Sequence, residues 1–248
     1  MTSTIDLNAD LGEGGAFDEG LMSVVTSCNI ACGGHAGDAQ SMREALTLAK
    51  SNGVSPGAHP SFPDRKNFGR TASVLAGAEL EAVLTEQIED LKQVAARVGI
   101  SLSHLKPHGA LYNLAARDVE LATSVVTVLK STLPHAALVG PPRSELERHA
   151  RVHRIAFVRE GFADRAYEPD GALRDRKLPG ALIPKAEAQS EQALSMATKG
   201  QVGTHSGKAI PMLVDTICVH GDGPDALAAA RVIRQALEQS GIVLCAPS

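Results

Sequence analysis

Short apolar runs alternate with amphipathic stretches almost from end to end of the chain, and this alternation restricts the fold more than any other feature. Strand-like runs cover residues 4–8, 27–31, 54–59, 102–106, 136–140, 154–159, 213–219 and 242–245. Helical patterns lie between them, over 40–52, 79–98, 118–131, 143–151, 187–199 and 224–240. In the first, Met42, Ala45, Leu46 and Ala49 share one face, with Asp38 placed to cap its start and Gly53 to stop it. In the second, Leu80, Val83, Leu84, Ile88, Leu91, Val94 and Val98 line one face up to Gly99. Strand and helix in repeated alternation, with no Pro/Gly-rich linker, call for parallel strands joined by right-handed crossovers. For 248 residues, one α/β domain over 1–248, a closed or nearly closed parallel barrel of about seven strands, fits better than two domains. An open doubly wound sheet is the alternative.

Composition narrows the function classes. Hydrophobic residues make up 44% and charged residues 21%, an ordinary globular balance. Aromatics are only 3% and Trp is absent, so the core is expected to be built from Ala, Val, Leu and Ile. With 24 Lys and Arg against 28 Asp and Glu, the net charge is −4, which argues against a nucleic-acid or anionic-membrane surface. No apolar run approaches the ~20 residues of a membrane span. Asp6 and Asp10 stand where a signal peptide is basic and then apolar, so a soluble cytoplasmic protein is expected. Cys28, Cys32, Cys218 and Cys245 suit free, mostly buried thiols; Cys28 and Cys32 lack the second pair that a zinc knuckle needs.

In a parallel barrel, chemistry collects where the strands end, because the following loops converge on one mouth. Polar clusters follow the apolar runs here. They are DLNADLGEG (6–14), NIACGGHAGD (29–38), GAHPSFPD (57–64), LKPHGALY (105–112), EGFADRAY (160–167) and HGDG (220–223). Asp6, Asn8 and Asp10 share one face of a period-two strand, Ile5 and Leu7 the other. His35, His59, His108 and His220 each fall within a few residues of a strand end, whereas His135, His149 and His153 lie in helices or connections and are expected to be structural or at the surface. Gly33, Gly34, Gly57 and Gly109 suit backbone that turns sharply or approaches a ligand closely. Asp10, His59 and His108 are able to hold a divalent metal through one carboxylate and two imidazoles. The same three could form a metal-free acid/base site, and spacing does not separate the two. Arg70, Lys106, Arg143 and Arg165 are the cations near loops that could grip a carboxylate, with Arg165 the best placed. GTHSGKA (203–209) imitates a phosphate loop, but it is one residue short and ends in Ala209; GEGG (12–15) lacks the dinucleotide spacing.

Taken in order, IDLNADLGEG, CNIACGGHAGD, GAHPSFPDRKNFGR, LKPHGALYN, REGFADRAYEPDG and DTICVHGD resemble the LamB/YcsF family over nearly the whole chain. The resemblance implies a distorted parallel (β/α) barrel of the glycoside hydrolase/deacetylase type. It further implies cleavage of 5-oxo-L-proline to L-glutamate coupled to hydrolysis of ATP, the co-substrate, by an A subunit working with two further subunits, B and C. On that reading Asp10 is a general base or metal ligand, and His59 and His108 position water or stabilise the oxyanion. Lys106 and Arg165 neutralise the substrate carboxylate or the phosphate. Asp6, Asn8, Glu13, Asn29, His35, Arg70, Tyr112 and His220 complete the substrate-binding mouth. Two departures are visible: Gly34 stands where the family usually has Phe, and Thr71 where a second Arg is common. Two other classes stay open. NAD, GAH and KPHG also resemble the YdjC-type deacetylases, which implies a metal-dependent amide hydrolase; and the lack of a readable nucleotide motif suits a non-catalytic substrate-binding subunit.

Overall fold

The structure, a computed structural model, describes residues 4–220 and 225–247. Seven strands close into an all-parallel ring: β1 (Thr4–Leu11), β2 (Ser27–Ala31), β3 (Ser55–His59), β4 (His104–Leu105), β5 (Ala137–Gly140), β6 (Phe157–Phe162) and β9 (Thr216–Val219). Closure comes from β1, which pairs with β2 along one edge and with β9 along the other, Asp6 lying opposite Thr216 and Asn8 opposite Cys218. The last strand, β10 (Val243–Leu244), adds to the first two residues of β1. Outside the ring, β7 (Gln201–Gly203) and β8 (Ala209–Pro211) form an antiparallel hairpin.

Helices wrap the ring: α1 (Asp18–Met22), α2 (Ala39–Asn52), α3 (Gly77–Val98), α4 (Gly109–Ala115), α5 (Val119–Thr132), α6 (Glu145–Val152), α7 (Ala186–Lys199) and α8 (Ala226–Gln239). Among the described residues none is long and apolar enough to cross a membrane. The signals read from sequence act locally as expected. The Asp38 side chain accepts from the Gln40 and Ser41 amides to start α2, and Gly53 ends it in the left-handed conformation at φ 67°.

Period-two strands sort the side chains into two environments. Ile5, Leu7, Ala9, Leu11, Cys28, Ile30, Ala58, Leu105, Leu138 and Ile217 belong to the apolar core packed with the helices, which is dominated by Ala, Val, Leu and Ile. The opposite faces point into the barrel, and that lumen is polar: Asp6, Asn8, Ser27, Asn29, His104, Lys106, Glu160 and Thr216 are all buried. A buried polar lumen persists only where its groups satisfy one another.

Gly57 makes room for part of this lumen. A Cβ there would lie 2.2 Å from the His104 imidazole, so the close approach served by this glycine is to a protein ring rather than to a ligand. Gly57→Ala is expected to cost roughly 1–3 kcal/mol by overpacking. Thermal unfolding should register that as a fall of about 2–12 °C; an unchanged midpoint would contradict the packing role.

The structure departs from the sequence expectations in several places, among them the run 102–106, of which only His104–Leu105 forms a strand. Arg154 adopts φ 57° in the turn leaving α6, so the strand expected over 154–159 begins instead at Phe157 and continues to Phe162. The run 213–219 pairs only from Thr216. α1 and α4 are too short to show a helical period. The segment 203–209 is the tip of the β7–β8 hairpin, where the Thr204 amide donates to the Lys208 carbonyl.

Candidate active site and metal centre

The lumen is organised in layers from its floor to the mouth. At the floor, the hydroxyls of Thr26 (2.6 Å), Ser27 (2.7 Å) and Thr216 donate to the Asp6 carboxylate, whose pKa burial raises. Asp6 is thereby occupied by protein hydroxyls at the floor of the lumen, below the Asn8 and Asp10 layers. Above it, the Asn8 amide donates to Thr216 Oγ1 (2.7 Å) and Glu160 Oε1 (3.1 Å) and accepts from Asn29 Nδ2 at 2.8 Å. Asn29 Nδ2 also donates to Asp10 Oδ1 at 2.9 Å, while its carbonyl accepts from His104 Nε2 at 2.8 Å.

Lys106 reaches into the next layer, 2% exposed, with its ammonium 2.9 Å from Asp10 Oδ1 and 2.8 Å from Glu160 Oε1. Burial works to lower its pKa, but Asp10, Cys218 and Glu160 outweigh burial and hold it well above the ordinary lysine value. It is a fixed cation whose charge is shared by two carboxylates. Burial likewise works to raise Asp10, and the neighbouring His59 and Lys106 outweigh it, holding Asp10 well below the usual carboxylate range. The Tyr112 phenol is buried near Glu160; burial first and that carboxylate second push it well above its ordinary value, so it stays a neutral donor.

The imidazoles gather on one side of Asp10. His59 Nε2 lies 3.3 Å from Asp10 Oδ2 and 2.9 Å from His108 Nδ1. Behind them, His59 Nδ1 donates to the Lys106 carbonyl (2.8 Å) and His108 Nε2 to the Phe68 carbonyl (3.0 Å). Glu13 closes the group, its Oε1 standing 2.8 Å from His35 Nε2, 3.5 Å from His108 Nδ1 and 3.9 Å from His59 Nε2. His35 stacks on His108 with ring centroids 3.6 Å apart. Burial first, and the neighbouring His59 second, push His35 down to about 2, so it is neutral. Gly69, at φ 63°, lets the loop after β3 pass this stack, since a Cβ there would sit 2.8 Å from His35 Cβ and 2.9 Å from His108 Cδ2. The space beside Gly34, where the family usually carries Phe, is taken by the Gln87 amide, which accepts from the Ser61 amide and donates to the Ser61 carbonyl.

Across the mouth, the loop after β6 carries Asp164 and Arg165. His220 Nδ1 is 2.8 Å from Asp164 Oδ2, and its Nε2 points back to Asp10 Oδ2 at 3.9 Å. Arg165 is 6% exposed; one guanidinium nitrogen donates to the Arg174 carbonyl (2.7 Å), while Nε has no hydrogen-bond partner among the described residues. Burial first and Arg176 second lower the Arg165 pKa, with Arg70 adding to the same cationic field. The Arg70 guanidinium packs over the Phe68 ring, 4.9 Å from its centroid.

The expected residues Asn8, Asp10, Glu13, Asn29, His35, His59, Lys106, His108 and His220 thus meet in one connected network, with Tyr112 and Arg165 at its edge. Of the HGDG stretch, Gly221, Asp222 and Gly223 lie outside the described residues. Sequence reasoning did not single out Glu160, Asp164, His104 or Cys218. The signal for Glu160 is the alternation Val158, Glu160, Phe162 along a strand.

The LamB/YcsF family model matches residues 5–248. The chain belongs to the LamB/YcsF family. This LamB/YcsF protein is 48% identical over 251 residues to the 5-oxoprolinase A subunit of Methylococcus capsulatus, covering 99% of this chain and 96% of that one. It is 47% identical over 249 residues to the protein of the same name from Chloroflexus aggregans, covering 98% and 99%. Among solved structures, the lactam utilization protein of Thermus thermophilus superposes with a TM-score of 0.91 at 40% identity, over 98% of this chain and 100% of that one. A polysaccharide deacetylase from Bacillus cereus reaches a TM-score of 0.55 at 14% identity, over 99% and 92% of the two chains, which is a likeness of fold.

Proposed function

We propose that this LamB/YcsF protein is the A subunit of an ATP-dependent 5-oxoprolinase, opening 5-oxo-L-proline to L-glutamate together with subunits B and C. The near full-length identity of 46–48% to proteins of that name carries the reading. The mouth supports it with an ionised carboxylate, a fixed cation and a buried guanidinium around one opening. A five-membered lactam is resonance-stabilised, and its amine and carboxyl reclose readily because they are held together. Hydrolysis therefore needs an external drive.

Transfer of the ATP γ-phosphoryl group to the amide oxygen releases ADP and makes the ring carbon electrophilic. One water adds to that carbon, the C–N bond breaks to give the amine and an acyl phosphate, and a second water releases phosphate. Asp10 orients the first water through Oδ2, accepts its proton and passes it to the departing nitrogen. Lys106 keeps Asp10 ionised, and Glu160 holds the Lys106 ammonium in place. Arg165, with Arg70 and Arg176 in its field, takes the substrate carboxylate, and His220, braced by Asp164, faces the reacting ring.

The test is glutamate formation from 5-oxoproline by this chain alone and with its two partner subunits, with and without ATP. Activity confined to the complete, ATP-supplied mixture supports the reading. Glutamate formed by the isolated chain without ATP would replace it with a simple amide hydrolase. Within an active complex, Arg165→Ala is expected to raise KM for 5-oxoproline about 10- to 100-fold, the loss of a charge-assisted carboxylate contact, with a smaller fall in kcat. Steady-state kinetics check this, and an unchanged KM would remove Arg165 from substrate binding.

A further inference from the structure

A proton inventory of the histidine cluster leads to a second site within the mouth. Backbone carbonyls only accept hydrogen bonds, so His59 carries a proton on Nδ1, facing the Lys106 carbonyl, and His108 carries one on Nε2, facing the Phe68 carbonyl. The remaining nitrogens, His59 Nε2 and His108 Nδ1, then face each other at 2.9 Å with a lone pair on each. Two lone pairs at that distance are held together only by something positive between them. Glu13 Oε1 lies 3.5 and 3.9 Å from the same two atoms. Donors about 2.0–2.2 Å from one ion in tetrahedral geometry stand roughly 3.3–3.6 Å apart, so 2.9, 3.5 and 3.9 Å bracket the spacing that a single metal needs.

His35 fits the same inventory in a different role. An ionised Glu13 only accepts, so neutral His35 donates to it from Nε2 at 2.8 Å, and its Nδ1 meets the Ser61 hydroxyl at 3.1 Å. Each of the three donors therefore has its own partner on the far side: a carbonyl for His59, a carbonyl for His108 and the His35 imidazole for Glu13. Such outer partners fix the ring tautomer and orientation of metal ligands. Glu13 has a side chain 12% exposed, which leaves the group open toward the mouth.

We propose that Glu13 Oε1, His59 Nε2 and His108 Nδ1 bind one divalent transition-metal ion of the zinc or cobalt class, with His35 positioning Glu13. This differs from the Asp10, His59 and His108 set expected from sequence. Asp10 Oδ1 is already held by Lys106 and Asn29, and Asp10 borders the site through Oδ2. When bound, the ion supplies a Lewis acid for a carbonyl or phosphoryl oxygen. The inference stands on the donor geometry and is independent of the 5-oxoprolinase reading.

The test uses the full chain stripped with a chelator and then titrated with Zn²⁺ by calorimetry and with Co²⁺ by visible absorption. The expected result is one ion per chain, with a cobalt d–d spectrum of low coordination number and nitrogen/oxygen donors. Glu13→Gln and His108→Ala should each weaken Zn²⁺ binding at least about 100-fold, while Asp10→Asn changes it by less than about 10-fold. His35→Ala should weaken it about 10- to 100-fold, with partial rescue by His35→Gln, whose amide also donates to Glu13. The cobalt spectrum of the unsubstituted chain needs no variant to fold. Absence of any bound ion at equimolar cobalt or zinc would overturn the proposal and leave a proton between His59 and His108. Loss of binding in Asp10→Asn with retention in Glu13→Gln would overturn the donor set.

Discussion

Asp10→Asn is expected to lower kcat of the reconstituted three-subunit complex by about 10²- to 10⁴-fold, the range that a positioned acid/base group contributes. The substitution keeps the size of the side chain, and its carbonyl still accepts from Lys106 and from Asn29 at the Oδ1 position. What it removes is the negative charge next to His59 and a carboxylate oxygen placed to take a proton from water on the Oδ2 side, where His59 Nε2 stands at 3.3 Å and His220 Nε2 at 3.9 Å. Substrate affinity should change little, because in the proposed function Arg165 rather than Asp10 meets the substrate carboxylate. Steady-state kinetics on folded, assembled protein check both halves. Near-normal turnover would remove Asp10 from the mechanism, and a loss confined to KM would recast it as a binding group.

The largest effect on stability is expected at Lys106. Lys106→Met leaves Asp10 and Glu160 buried without the ammonium that lay 2.9 and 2.8 Å from them. Removing one partner of a buried charge pair costs about 3–5 kcal/mol, because the other charge is left unpaired. At about 2–4 °C per kcal/mol for a chain of this size, thermal unfolding should fall by roughly 6–20 °C. Adding Glu160→Gln to the same chain removes one of the stranded carboxylates and should recover part of that loss. A single variant within about 1 °C of the parent would show that the lumen does not depend on this cation, and failure of the double variant to recover would assign the loss to side-chain packing.

The apolar half of the architecture was legible because it repeats. Leu80, Leu84, Ile88 and Leu91 recur at helical spacing, and Ile5 and Leu7 alternate with Asp6 and Asn8, so strands, helices and the inward face of β1 follow from periodicity. The polar lumen was legible only where a strand declared both of its faces. In β6 the turn at Arg154 moves the strand three residues along the chain, which puts Glu160 on the lumen face rather than in a loop. His104 lies in a two-residue strand with no period to read, and its place depends on the absence of a side chain at Gly57. Glu13 and His35 were legible as polar residues after strands. That His35 donates to Glu13, and that Glu13 stands 3.5 and 3.9 Å from the imidazole pair, depends on distances between segments brought together from residues 13, 35, 59 and 108.

The closure of the ring through β1 also bears on how the protein is made. One edge of β1 finds β2 soon after it leaves the ribosome, but the other waits for β9, whose first residue is Thr216. At a synthesis rate of about 5–20 residues per second, that partner emerges on the order of 10–40 s later. Throughout the interval Asp6 and Asn8 lack Thr216, so a nascent chain stalled before β9 carries an unclosed sheet with an unsatisfied polar interior, the form most open to mispairing with a neighbour.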